Sequence, residues 1–140
     1  MQCALGISQL SKVDRFKARR KEIVAAYNRA FQNIPSVEVP YQAPGLDSCF
    51  HLYVLQIDFA ALGRSRTQVM GSLEKQGVGS QVHYIPVHTQ PWYRNTYGFG
   101  PGSCPVAEAY YEKALSLPLY PKMSDAEVGT VIGALRIALT

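Results

Sequence analysis

Two imidazoles, a phenol and a carboxamide gather at Gln81, His83, Tyr84 and His88, beside the rigid turn set by Pro86. Such groups hydrogen-bond ligand oxygens without having to transfer a proton, so the cluster reads as a recognition edge rather than an acid–base centre. Val78, Ser80, Val82 and Tyr84 alternate with Gly79, Gln81, His83 and Ile85. That period of two predicts a strand over 78–85, with Gln81 and His83 on one face and Val82 on a face turned to the core. Pro86 has no backbone donor and biases Ile85 towards an extended conformation, which ends the ladder and turns the chain outward. The competing reading makes His83 and His88 ordinary half-buried histidines bonded to backbone.

Self-contained catalytic motifs are missing: the sequence has no GxSxG, P-loop, glycine-rich dinucleotide fingerprint or HExxH. His51, His83, His88 and Cys104 match no standard metal spacing, so no metal site is expected. Cys3, Cys49 and Cys104 are far apart and form no CxxC pair, which points to reduced thiols and a cytoplasmic protein. No apolar run approaches the roughly twenty residues that span a bilayer, and the opening residues lack the charged start and apolar core of a signal peptide, so the protein is expected to stay inside the cell. The net charge of +4 has a local origin in Lys12, Arg15, Lys17, Arg19, Arg20 and Lys21. Confined to one helix, these charges suit a solvated face or an acidic neighbour better than nucleic acid, which is not expected as a partner.

The elements that must position the cluster follow from periodicity and breakers. Helical spacing of Ile7, Leu10, Val13, Ile23, Tyr27 and Phe31 predicts one long helix or two abutting ones over 2–32. This pattern begins with no capping residue ahead of it, which predicts that the chain continues a longer polypeptide. Gly6 within it predicts another element packed close against bare backbone. Prolines and Gly45 make 33–48 a connector with a short extended piece at 37–39. A strand over 48–59, apolar on both faces, should be central. Ser65 and Gln68 form a capping box opening a helix over 66–76, stopped by Gly77. Trp92, Tyr93, Tyr97 and Phe99 fall in a predicted loop over 91–102, either a lid or a satellite apolar cluster. Pro105 opens a helix expected to run to Leu117, and a second capping box, Ser124 with Glu127, opens the last helix. The expected fold is one α+β domain over 1–140, a small α/β sandwich with helices covering a short sheet.

Three blocks in register, residues 2–10, 77–93 and 107–120, resemble the C-terminal part of DegT/DnrJ-type sugar aminotransferases. Gln81, Val82, His83 and Tyr84 followed by Pro86 are most similar to the branch that makes UDP-4-amino-4,6-dideoxy-N-acetyl-β-L-altrosamine for pseudaminic acid biosynthesis. The resemblance implies the small domain of an aspartate-aminotransferase-type fold, belonging to a pyridoxal-phosphate transferase that passes an amino group from glutamate to a 4-keto UDP-sugar. It implies that Gln81, Val82, His83 and Tyr84 line the sugar-nucleotide site, with Pro86 and His88 as further substrate-side residues. The Schiff-base lysine and the phosphate-binding residues belong to a large domain outside this chain, so no catalytic or cofactor-binding residue is assigned and the chain alone is expected to be inactive. The other reading is a free-standing interaction module that forms a homodimer through apolar surface on its first helix.

Overall fold

The structure, a computed structural model, describes residues 2–140; the domain boundary expected at Met1 lies outside them. Strands β1 (Val37–Glu38), β2 (Tyr53–Ile57) and β3 (Ala114–Leu117) pair in that order, both pairs antiparallel. The expected central strand is therefore central, although only its second half is regular. Tyr53, Leu55 and Ile57 point to one face and are fully buried, with Leu117 and Leu115 opposite the first two. Helices α2 (Val13–Phe31), α3 (Arg66–Lys75) and α6 (Asp125–Leu139) supply the other half of this core through Ile23, Tyr27 and Phe31, Val69 and Leu73, and Val128, Val131 and Leu135. Two buried phenols join α2 to the sheet: Tyr27 donates to the Pro118 carbonyl at 2.9 Å and Tyr53 to Asn28 Oδ1 at 2.8 Å. Burial pushes both phenols well above the ordinary tyrosine range.

The local signals hold. Ser65 with Gln68 and Ser124 with Glu127 both form reciprocal capping boxes, and Gly77 takes the left-handed conformation (φ +75°) just beyond α3. The long N-terminal pattern resolves into two abutting helices, α1 (Gln2–Leu10) and α2. At the break, the Ser11 hydroxyl donates to the Ser8 carbonyl at 3.0 Å and the Lys12 N–H bonds Gln9, a tighter turn than the α-helix. Helix α1 buries none of its residues, and a Cβ on Gly6 would meet nothing within 4 Å. The close packing expected at Gly6 is therefore not made among the described residues. On α2, Lys17 and Lys21 converge on Asp47, while Arg19 bridges Glu22 and Asp125, so acidic neighbours in the chain answer much of its positive charge. No helix is long and apolar enough to cross a membrane among the described residues.

Three further expectations are corrected. The helix opened by Pro105 ends at Lys113 as α5 (Pro105–Lys113), and the next four residues form β3, every one of them buried. Pairing of Leu115 with Leu55 and Leu117 with Tyr53 outweighs the helical stripe that their spacing suggested. The expected loop over 91–102 begins as a helix, α4 (Pro91–Tyr97), because Pro91 sits at its start and Gly98 closes it at φ +70°. Its rings pack on one another, Trp92 edge-on to Tyr93 at 4.9 Å and Tyr97 against Phe99 at 5.8 Å, as a cluster outside the main core.

The third correction bears on function. Residues 78–85 form no strand; Gln81 alone bridges Ser116 on the outer edge of β3. Extending that antiparallel pairing one way would meet Pro118, which has no N–H. The other way it would meet Ala114, whose carbonyl instead lies 3.5 Å from Arg66 Nη1. Of the face expected to be inward, only Val78 reaches the core; Val82 is half-buried outside it, and Tyr84 is exposed.

Candidate functional site

Ser116 organises the polar cluster. Its N–H donates to the Gln81 carbonyl at 2.8 Å and its own carbonyl accepts the Gln81 N–H at 3.1 Å. Because both backbone groups point to the outer edge, its side chain stands on the sheet face opposite Leu115 and Leu117. There the hydroxyl meets His83 Nδ1 at 2.8 Å. Among the described residues His83 Nε2 has no hydrogen-bond partner, and it is not sealed from solvent. The Tyr84 ring stands edge-on to the imidazole at 4.6 Å and is 75% exposed, while Gln81 presents its side chain outward. Gln81, His83 and Tyr84 are thus brought together at one exposed edge, held by a single buried serine.

Pro86 and His88 do different work. The Pro86 carbonyl accepts from the Thr89 N–H and hydroxyl, closing a one-turn 3₁₀ helix. His88 is buried, and its Nε2 meets Glu108 Oε1 at 2.8 Å. The same carboxylate accepts the backbone N–H groups of Gly102 and Cys104, fastening the loop after α4 to α5. Those two backbone donors and then His88 hold the Glu108 carboxyl below its usual range. His88 is therefore a buried histidine that faces an internal acid, where the competing reading expected a half-buried one bonded to backbone.

The sheet face that carries His83 also floors an open groove of about 750 Å³, lined by Val54, Gln56, Phe50, Leu52 and Tyr110. Gln56 Nε2 is buried there without a partner among the described residues. The groove is the roomier feature, yet Gln81, His83 and Tyr84 do not line it. The polar chemistry lies beside it on the edge. Among the described residues, no three His, Cys, Asp or Glu side chains gather in a way that would hold a metal ion.

The profile of the DegT/DnrJ/EryC1/StrS aminotransferase family matches residues 1–136. The chain belongs to this family. A relative, the spore coat polysaccharide biosynthesis protein SpsC of Bacillus subtilis, is 42% identical over 137 residues, which cover 97% of this chain and 35% of SpsC. Among solved structures, Helicobacter pylori PseC, an aminotransferase involved in the biosynthesis of pseudoaminic acid, superposes with a TM-score of 0.88 at 26% identity, covering 99% of this chain and 36% of PseC. The putative sugar aminotransferase Spr1654 of Streptococcus pneumoniae, in its apo form, gives 0.86 at 32% identity, over 96% and 33% of the two chains. PseC is one of several sugar aminotransferases of this likeness, so the α+β aminotransferase fold is established while no one branch is singled out. The chain spans about a third of the length of these family members.

Sequence reasoning singled out Gln81, His83 and Tyr84 but not Ser116 and Glu108, which bond His83 and His88. The alternation of Leu115, Ser116 and Leu117 was the available signal for Ser116, masked by its continuity with α5.

Proposed function

We propose that this chain is the small domain of a pyridoxal-phosphate-dependent sugar-nucleotide aminotransferase, and that it supplies one wall of the sugar-nucleotide site. The observation that carries this reading is the exposed edge where Gln81, His83 and Tyr84 stand together, with His83 fixed at Nδ1 and free at Nε2. An amide, an imidazole and a phenol on a rigid edge suit hydroxyl, acyl and diphosphate oxygens. Val82 offers backbone and a half-buried side chain between them. Family membership and the sugar aminotransferases of similar fold support the same substrate class. Within it, the reading extends to a 4-keto UDP-amino sugar of pseudaminic acid biosynthesis, with glutamate as amino donor in a cytoplasmic enzyme, supported by Gln81 to Pro86 and the likeness to PseC.

Spr1654 is known in a PLP form. The residues at this chain's polar edge do not fit that cofactor by themselves, since no lysine or acid bonds to Gln81, His83 or Ser116. Lys17, whose pKa Asp47 raises, is paired with that carboxylate, and Lys113 lies 3.7 Å from Asp58. Bound elsewhere in a full-length enzyme, the cofactor supplies the electron sink for amino transfer; this chain's residues bind and orient the sugar nucleotide.

Titrating UDP-N-acetylglucosamine into the chain, with the resonances of His83 and Tyr84 followed by NMR, tests the reading. Saturable shifts are expected, weakened by His83→Ala several-fold to roughly a hundredfold with the fold retained, as the loss of one hydrogen bond to a neutral or charged oxygen implies. No saturable shift, or unfolding by His83→Ala, overturns it. A second reading rests on α1, where Leu5, Ile7 and Leu10 are 61%, 71% and 73% exposed: the chain self-associates as a homodimer through that helix. Sedimentation velocity across concentrations checks this, and a strict monomer at high concentration removes it.

A further inference from the structure

Building on the sugar-nucleotide reading, we infer that Ser116 is the positioning residue that makes His83 a hydrogen-bond donor at Nε2, so that the ligand atom His83 meets is an acceptor oxygen. Ser116 is 3% exposed, and among the described residues its hydroxyl has one partner, His83 Nδ1 at 2.8 Å. A hydroxyl carries one hydrogen and must give it to an acceptor when buried. If Nδ1 carried the proton and donated to the serine oxygen, the hydroxyl hydrogen would be left buried with no acceptor. The satisfied arrangement has Ser116 donating to Nδ1, which places the imidazole hydrogen on Nε2.

The backbone strengthens the assignment. The residue that polarises His83 also holds Gln81 by two main-chain bonds, so the register of the edge and the tautomer of its imidazole are set at one point. β3 is in turn held by Leu115 and Leu117 in the core, which makes Ser116 a rigid base for a segment otherwise without a ladder. A donor at Nε2 discriminates between ligand atoms. It rewards a diphosphate oxygen or an acyl carbonyl, and it leaves a hydroxyl able to bind only through its lone pairs. A UDP-N-acetyl sugar carries both kinds of acceptor.

The test reads the tautomer and the ligand response separately. Long-range nitrogen–proton NMR of the chain in mildly alkaline buffer is expected to show His83 protonated at Nε2 and bare at Nδ1. Ser116→Ala is expected to let the Nδ1-protonated form appear and to weaken the response to the matching probe by about three- to tenfold, the range for one neutral hydrogen bond. Ser116→Thr, which keeps the hydroxyl, is expected to restore both. The probes are UDP, carrying diphosphate oxygens, and N-acetylglucosamine, carrying the acyl carbonyl; whichever shifts His83 identifies its acceptor. Wild-type protein protonated at Nδ1 overturns the inference, as does a Ser116→Ala chain that keeps both the tautomer and full ligand response. If the tautomer depends on Ser116 but neither probe shifts His83, the hold of Ser116 on the imidazole stands and the sugar-nucleotide reading falls.

Discussion

Replacing Leu115 by alanine tests the placement of β3 and, through it, the base of the candidate site. Leu115 is fully buried opposite Leu55, in a cluster shared with α2, α3 and α6. Truncating such a leucine removes its transfer free energy and leaves a cavity that a strand pinned on one side cannot collapse, for a cost of about 2–5 kcal/mol. A domain of this size has roughly 5–15 kcal/mol in all, so the melting temperature should fall by about 6–20 °C. Val82, half-buried and outside the core, should lose less than about 1 kcal/mol on truncation to alanine, a shift of about 3 °C or less. Circular dichroism melts and urea titrations of the two variants give the comparison. If Val82→Ala proves as damaging as Leu115→Ala, the core runs through 78–85 instead of 114–117, and the account of Ser116 fails with it.

Two further outcomes follow from the geometry. The carboxyl of Glu108 has a folded-state pKa below its unfolded value, so its stabilisation is fully present above the ordinary glutamate range and lost as pH falls through the depressed value. Fluorescence of Trp92, the single tryptophan, in the α4 lobe whose following loop Glu108 fastens, should therefore report an acid transition below that range. Glu108→Gln should abolish the transition, and an unchanged acid midpoint would disprove the latch. Ser65→Ala should destabilise the chain by about 1 kcal/mol through loss of the α3 cap, measured by urea denaturation, whereas a stability unchanged within error would argue that the capping box contributes nothing.

The parts legible in the sequence were those decided locally. Ser65 with Gln68, Ser124 with Glu127 and Gly77 each act within one turn of helix, so their neighbours suffice to interpret them. The strand through Tyr53, Leu55 and Ile57 was legible too, although its sequence is apolar on both faces and only the face of these three is buried. β3 was illegible because Ala114 and Leu117 satisfy a helical stripe continuing α5 as well as they satisfy a strand, and the partner that decides lies some sixty residues upstream in β2. The run 78–85 alternates cleanly but has almost nothing to pair with, a matter of what lies opposite and not of its own pattern. The site divides in the same way. Gln81, His83 and Tyr84 were visible as neighbours in the chain, while Ser116 and Glu108 lie 33 and 20 residues from the histidines they hold.

The outer edge of β3 also has a consequence for assembly. An unpaired strand edge is a template on which another chain can add a strand, the usual route to edge-to-edge aggregation. Here Gln81 occupies the middle of that edge, Pro118 removes the donor beyond one end, and the Arg66 guanidinium, which also bonds the Tyr111 carbonyl, lies against the Ala114 carbonyl at the other. A strand offered by a second molecule would find neither a run of free donors nor a run of free acceptors. Growth of the sheet through β3 is closed, so any association of this chain on that side must proceed through side chains, and the polar edge at His83 stays available to a small ligand rather than to another backbone.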